Sequence, residues 1–148
     1  MKISTKGRYG LRAMVDLAVH SNGEHVSLGS VAERQKISMN YLEQVFANLR
    51  KAGLVKSIEG AQGGYILAHE PSAIKVGDVL RVLEGKLSVI DSAKMNNMDQ
   101  KSIQYCIKTL VWDKIEESIQ QVVDSVTLED LVNEYKRLNG SDTVMYFI

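Results

Sequence analysis

Asn40, Glu43 and Gln44 lie at positions i, i+3 and i+4 of a segment that opens with Ser38, and Ala47 and Lys51 continue the same face. Helical spacing puts such residues side by side. Amide and carboxylate side chains near a helix N-terminus match the hydrogen-bonding edges of bases in a DNA major groove. The chemistry on offer is recognition. Plain solvation of an amphipathic helix is the competing reading, and the surrounding elements decide between the two. Reactive patterns are missing from the chain: there is no HExxH, CxxC, Walker loop or GxSxG. His20, His25 and His69 are scattered and read as surface or cap residues. Cys106 is the only cysteine, which excludes an intramolecular disulfide, and no neighbour in sequence would activate it. No enzyme is expected and no catalytic residue is assigned.

The elements needed to present that face are legible in order. A first helix is expected from about Thr5, as N-cap, to His20, with Leu11, Met14, Val15 and Ala18 at helical spacing. Ser21-Asn22-Gly23 ends it, and His25-Val26 can add a short strand. Ser27 caps a second helix that turns Leu28, Val31 and Ala32 inward. After Lys36-Ile37, Ser38 caps a third helix reaching Ala52, whose Leu42, Val45, Phe46 and Leu49 face the core. Gly53 follows as a helix stop. Strands at 54–58 and 65–68 then flank a loop holding Gly60, Gly63 and Gly64. These glycines are read as allowing positive φ and close approach of backbone N–H groups to phosphates. Two helices followed by such a hairpin form a winged helix-turn-helix, a device that seats one helix in a major groove.

Pro71 closes the wing, and Val76, Val79, Leu80 and Leu83 make one more helix, ended by Gly85. Residues 91–102 are polar and expected to be a mobile loop. A long helix is expected from roughly Lys101 to Ser125, with Ile103, Ile107, Val111, Ile115, Ile119, Val122 and Val126 three or four apart. Leu110, Trp112 and Val123 widen that stripe. It is long for a small domain to cover, so a second subunit is expected on it at Ile107, Val111, Ile115, Ile119 and Val122. Packing against the first helix is the intramolecular alternative. Thr127 caps a last helix with Leu128, Leu131 and Val132 inward. The apolar tail Val144, Met145, Tyr146, Phe147 and Ile148 is expected to dock on the body or on the dimer mate.

The fold class is therefore mainly α with a small β-wing: a winged helix-turn-helix plus a long dimerisation helix. Residues 1–85 form the DNA-binding domain, 86–102 a loop, and 103–148 the dimerisation helix with a C-terminal segment packing on the same body. A chain of 148 residues suits one such domain with an oligomerisation element. Zero formal net charge argues against a nucleic-acid binder taken alone. Its distribution argues the other way: residues 1–70 hold nine Lys and Arg against six Asp and Glu, and residues 71–148 nine against twelve. No membrane span or signal peptide is seen, and a reducing cytoplasm is expected.

The stretch Ile37-Ser38…Tyr41-Leu42-Glu43-Gln44…Leu49-Arg50-Lys51-Ala52-Gly53-Leu54-Val55…Gly63-Gly64-Tyr65-Ile66-Leu67 resembles the Rrf-two family of bacterial transcription regulators. So do the opening Met1-Lys2-Ile3-Ser4-Thr5-Lys6-Gly7-Arg8-Tyr9 and the late Thr127-Leu128-Glu129-Asp130-Leu131. The resemblance implies a homodimer that reads a palindromic double-stranded operator. It implies base readers at Asn40, Glu43 and Gln44, where Glu43 would accept from cytosine and Gln44 would pair with adenine. Lys6, Arg8, Tyr41 and Arg50 become phosphate contacts or supports, with Ser38 and Lys51 on the same helix. Members often carry Arg where this chain has Glu59, so the wing is expected to touch DNA through Gln62, Gly63 and Gly64, or hardly at all.

Cluster-binding members hold three cysteines, and often a histidine, in the loop entering the dimer helix. Here Cys106 matches the last, while the other positions hold Lys94, Gln100 and Thr109, which are poor iron ligands. No iron–sulfur cluster and no metal is expected. This resembles the family's cluster-free branch, which implies a repressor of cysteine and sulfur metabolism acting with a corepressor protein such as a cysteine-biosynthesis enzyme. Cys106 is read as a small buried apolar residue, with a redox switch as the alternative. Two other readings stay open: a regulator sensing iron–sulfur or thiol redox state through Cys106, and a protein-interaction adaptor that has lost DNA binding.

Overall fold

A computed structural model of the chain describes residues 1–91 and 97–140. Helices α1 (Thr5–His20), α2 (Leu28–Gln35) and α3 (Met39–Lys51) build its front half. The N-terminus of α1 corrects one expectation, because Thr5 is its first helical residue and Ser4 its cap position. The unpaired N–H groups there are met from across the fold. Glu84 Oε1 accepts from Ser4 N–H at 2.7 Å, from Gly7 N–H at 3.0 Å and from the Ser4 hydroxyl at 2.6 Å. A carboxylate at this end also complements the helix dipole. A side chain on Gly7 would strike that carboxylate.

Ser27 Oγ accepts from Ser30 N–H and Ser38 Oγ from Tyr41 N–H, each at 3.2 Å, so α2 and α3 start where the sequence places them. Between them Lys36 takes left-handed φ 56° and Ile37 is buried. That pair fixes the angle between the two helices. Leu42, Val45, Phe46 and Leu49 of α3 join Met14, Leu17 and Val31 in the core. Each such side chain contributes about 1.5–3 kcal/mol by leaving water.

Strands β1 (Val55–Ile58) and β2 (Gly64–Leu67) pair antiparallel, Val55 opposite Leu67 and Ile58 opposite Gly64. Val26 adds a third, single-residue strand, exchanging two 2.8 Å hydrogen bonds with Tyr65. The wing glycines have a different cause from the one expected. Only Gly60 has positive φ, at 115°. Gly63 and Gly64 are needed because a Cβ would collide with the carbonyl oxygens of Ile58 and Val26.

A 3-10 turn (Pro71–Ala73) leads into α4 (Val76–Glu84). Among the described residues no helix or strand lies between Glu84 and Ile103, the stretch where a loop is expected from residue 86, but its first residues are held in place. Leu87 is buried, and the Ser88 hydroxyl and Val89 N–H each donate to Glu116 at 2.8 Å. Residues 92–96, within the expected loop, lie outside the described residues, as does the apolar tail at 144–148. The long helix begins at Ile103 rather than Lys101, with Ser102 as its cap. It is not regular throughout: α5 (Ile103–Ile107) passes through a π-helical turn (Lys108–Trp112) into α6 (Asp113–Ser125). The Thr109 hydroxyl donates to the Tyr105 carbonyl at 3.0 Å inside that turn. The wider turn rotates the face of the N-terminal arm relative to that of α6.

Two guanidinium bonds from Arg81 to Asp124, at 2.7 and 2.8 Å, fix α6 to α4. Helix α7 (Leu128–Leu138) opens on a reciprocal cap between Thr127 and Asp130, with bonds of 3.0 and 3.1 Å. Its Leu128 and Val132 are buried against the front half. Among the described residues no helix is long and apolar enough to cross a membrane.

Candidate nucleic-acid interface

Helix α3 divides its residues cleanly. While Leu42, Val45, Phe46 and Leu49 anchor it, Asn40, Glu43, Gln44, Arg50 and Lys51 are exposed and Tyr41 is half-buried. The predicted readers therefore share one outward face, and the two cations sit at its far end. Ser38 is exposed as well, but its hydroxyl oxygen is committed to the helix cap.

The base under this helix is a polar network that sequence reasoning did not select. Asp16 of α1 is buried, and its carboxylate accepts from Arg34 Nη2 at 2.7 Å, Arg34 Nε at 3.0 Å and Gln35 Nε2 at 2.8 Å. The hydrogen bonds that Arg34 donates to Asp16 raise the pKa of its guanidinium above the ordinary value. Arg12 donates to the Gln35 carbonyl at 2.5 Å and lies 5.0 Å above the Tyr9 ring. Tyr9 in turn meets Tyr41 edge-on at 6.0 Å. The chain of contacts runs from α1 through the end of α2 to the first turn of α3. The available signal was Asp16 itself, a carboxylate between Val15 and Leu17 on an apolar helix face. A charge there requires a partner. Arg8 is exposed beside this cluster, 5.9 Å from the Tyr9 ring, and Lys6 is half-buried.

At the wing tip residues 59–62 are all exposed, and the polar side chains among them are Glu59 and Gln62. The Gly63 N–H already donates to the Gly60 carbonyl at 3.1 Å, and His25 Nε2 contacts the Gln62 carbonyl. Approach to phosphate through the Gly63 amide would have to break the turn.

The expected dimer stripe is open to water: Ile107, Val111, Ile115 and Val122 are exposed and Ile119 is half-buried. Cys106 lies on the same arm and is exposed, which corrects the expectation of a buried residue. Among the described residues nothing covers this stripe fully, and its α6 end lines a groove with Met1, Ile3 and Leu80. Among the described residues no three His, Cys, Asp or Glu side chains are grouped to hold a metal. Thr109 is engaged with the Tyr105 carbonyl, and Lys94 lies outside the described residues. One thiol with amide and hydroxyl neighbours does not fit an iron–sulfur cluster.

Residues 3–134 match the family model Rrf2, described as iron-dependent transcriptional regulator. The HTH-type transcriptional regulator CymR of Bacillus subtilis is 45% identical over 133 residues, covering 90% of this chain and 91% of the relative. The structure of that protein, the global cysteine regulator, superimposes with TM-score 0.78 over 90% of this chain and 98% of the other. The structure of T. potens IscR is 49% identical, with TM-score 0.74 and coverage of 99% and 96%. IscR of Yersinia enterocolitica is 37% identical over 143 residues, covering 96% of this chain and 85% of the relative.

Proposed function

We propose, from the premise that the chain belongs to the Rrf2 family of DNA-binding transcription regulators and is not an enzyme, that it is a homodimeric repressor reading a palindromic operator without an iron–sulfur cluster. The observation that carries this reading is the outward face of α3, where Asn40, Glu43 and Gln44 stand on a core-anchored helix braced by Tyr9, Arg12 and Asp16. Glu43 and Gln44 supply acceptor and donor groups for base edges, and Lys6, Arg8, Arg50 and Lys51 supply positive charge for the backbone. The open stripe on α5 and α6 supports pairing with a second copy, and two-fold symmetry of the protein implies two-fold symmetry of the operator. Occupied promoter DNA is then closed to transcription.

The regulated process is cysteine and sulfur metabolism, by likeness to the cysteine regulator of B. subtilis, with a cysteine-biosynthesis enzyme as corepressor. Independence from iron rests on the donor set, which holds one thiol per chain. Selection from a random duplex library with metal-free protein tests the reading. Enrichment of a palindrome is expected. Enrichment only after iron–sulfur reconstitution would overturn cluster independence, and no retention on any duplex at low salt would favour an adaptor that has lost DNA binding.

A further inference from the structure

Where α5 passes into α6, the π-helical turn changes which side chains stand together. On a regular α-helix, residues five apart point roughly 140° away from each other. Here the Asp113 N–H donates to the Lys108 carbonyl, and Lys108 Nζ reaches the Asp113 carboxylate oxygens at 3.0 and 3.2 Å. The wider turn therefore brings Lys108 and Asp113 to one side of the helix. Opposite them runs the segment 86–90, held to α6 by Glu116 through Ser88 and Val89 and by Gln120, which donates to the Leu87 carbonyl at 2.9 Å. A cavity of about 150 Å³ lies between the two. Lys108, Trp112, Asp113 and Glu116 form its helical wall, and Lys86, Ser88 and Ile90 form the other. Turns of this kind are frequent at functional sites, and the reading of DNA makes no use of this one.

The lining selects a class of ligand. Two ammonium groups, on Lys86 and Lys108, stand with two carboxylates, on Asp113 and Glu116. A wall that is charged yet balanced suits neither a phosphate nor a divalent cation, and the space is too small for a nucleotide. A small zwitterion matches both the charges and the size. The lining groups can accept one without giving up their present bonds, because an ammonium has three donors and a carboxylate about four acceptor positions. Trp112 and Ile90 offer apolar surface to a short side chain.

We propose that this cavity binds a small free α-amino acid, its carboxylate toward Lys86 and Lys108 and its ammonium toward Asp113 and Glu116, and that occupancy alters operator affinity. The route to the reading head is short. Segment 86–90 follows Glu84, whose carboxylate caps α1 at Ser4 and Gly7, and α1 carries the Tyr9 and Asp16 contacts beneath α3. A ligand that bridges the segment and the π-helical turn fixes the chain on which Glu84 is mounted. Binding itself is independent of the operator reading; its effect on DNA rests on that reading.

Trp112 is the only tryptophan, so its fluorescence reports on the cavity directly. Full-length, metal-free protein is titrated with L-alanine, L-serine, L-cysteine and L-valine, and with propionate, ethylamine and L-arginine as controls, at constant ionic strength. At least one of the four small amino acids should give a saturating change, with matching heat in calorimetry, and the controls should give none. Lys108→Met and Lys86→Met should each weaken binding about tenfold or more while the helical circular dichroism signal stays that of the parent. Lys86 lies outside the helices and is exposed, so its replacement leaves the π-helical turn in place. No saturating response to any of the four would overturn the site, as would an equal response to propionate or unchanged affinity in both variants. Saturation with the amino acid should shift the Kd for the selected duplex about fivefold or more. An unchanged Kd in protein that binds both ligands would overturn the effect on DNA. Amino-acid binding by protein that retains no duplex would remove the operator reading and leave the site standing.

Discussion

The front half and the α5–α6 arm treat apolar side chains in opposite ways. In α3 every large apolar residue after the first turn is buried and the outward face is polar. Along α5, the π-helical turn and α6 no residue is fully buried, and isoleucine, leucine and valine face water. Both have the helical periodicity of an amphipathic segment. The difference is that the first finds its apolar partner among the described residues and the second finds only part of one there. One half closes its core within the chain, and the other leaves an apolar face open among the described residues.

That contrast can be broken at either end, and the largest effect is expected in the finished half. Phe46→Ala removes a fully buried ring next to Tyr65 and should cost about 3–5 kcal/mol in denaturant unfolding. A loss below about 1 kcal/mol would mean that the front core is not closed. Val122→Asp on the open stripe should instead raise the dimer Kd by about a hundredfold while the dissociated protomer keeps its helical signal. Unfolding of the protomer would place Val122 in a core the chain completes alone. Gln44→Ala should cost about 1–3 kcal/mol at one base position of each half-site. Equal losses on every sequence would remove Gln44 from the readers. Glu59→Arg should tighten binding and steepen its salt dependence, and an unchanged salt slope would place the wing tip away from phosphate.

The smallest expected effect concerns the contact that ties residues 86–90 to α6. The Ser88 hydroxyl, and after it the Val89 N–H, hold the Glu116 carboxyl below its ordinary pKa. Its contribution is fully present above the unfolded value of about 4.3 and is lost as pH falls through the lower folded value. The group is only half-buried, so solvent screening keeps the effect small. Melting temperatures of Glu116→Gln and the parent, scanned from about pH 6 down to about pH 3, should converge on the acid side. A difference that does not shrink would assign the stabilisation to packing.

Much of the fold was legible because its signals are local. Ser27, Ser38 and Thr127 cap the helices they precede, and the spacing of Leu42, Val45, Phe46 and Leu49 marks the buried face. What escaped depends on contacts distant in sequence. Glu84 reaches back to cap α1, Gly64 is required by the carbonyl of Val26, and Arg12 meets Gln35 across a helix pair. The exposed polar face at Asn40, Glu43 and Gln44 was legible from its place in the helix-turn-helix, whereas the contacts beneath it at Tyr9 and Asp16 were not. The exposure of Cys106 was misjudged because burial of a helix residue depends on what stands beside it, and none of the described residues covers it.

The most direct measurement compares duplex selections by the parent protein and by Val122→Asp, both metal-free. A reading head complete in one chain predicts a palindrome for the parent and a single copy of the same half-site, bound more weakly, for the dissociated variant. Enrichment of no sequence by the parent, or of an unrelated sequence by the folded monomer, would contradict the account.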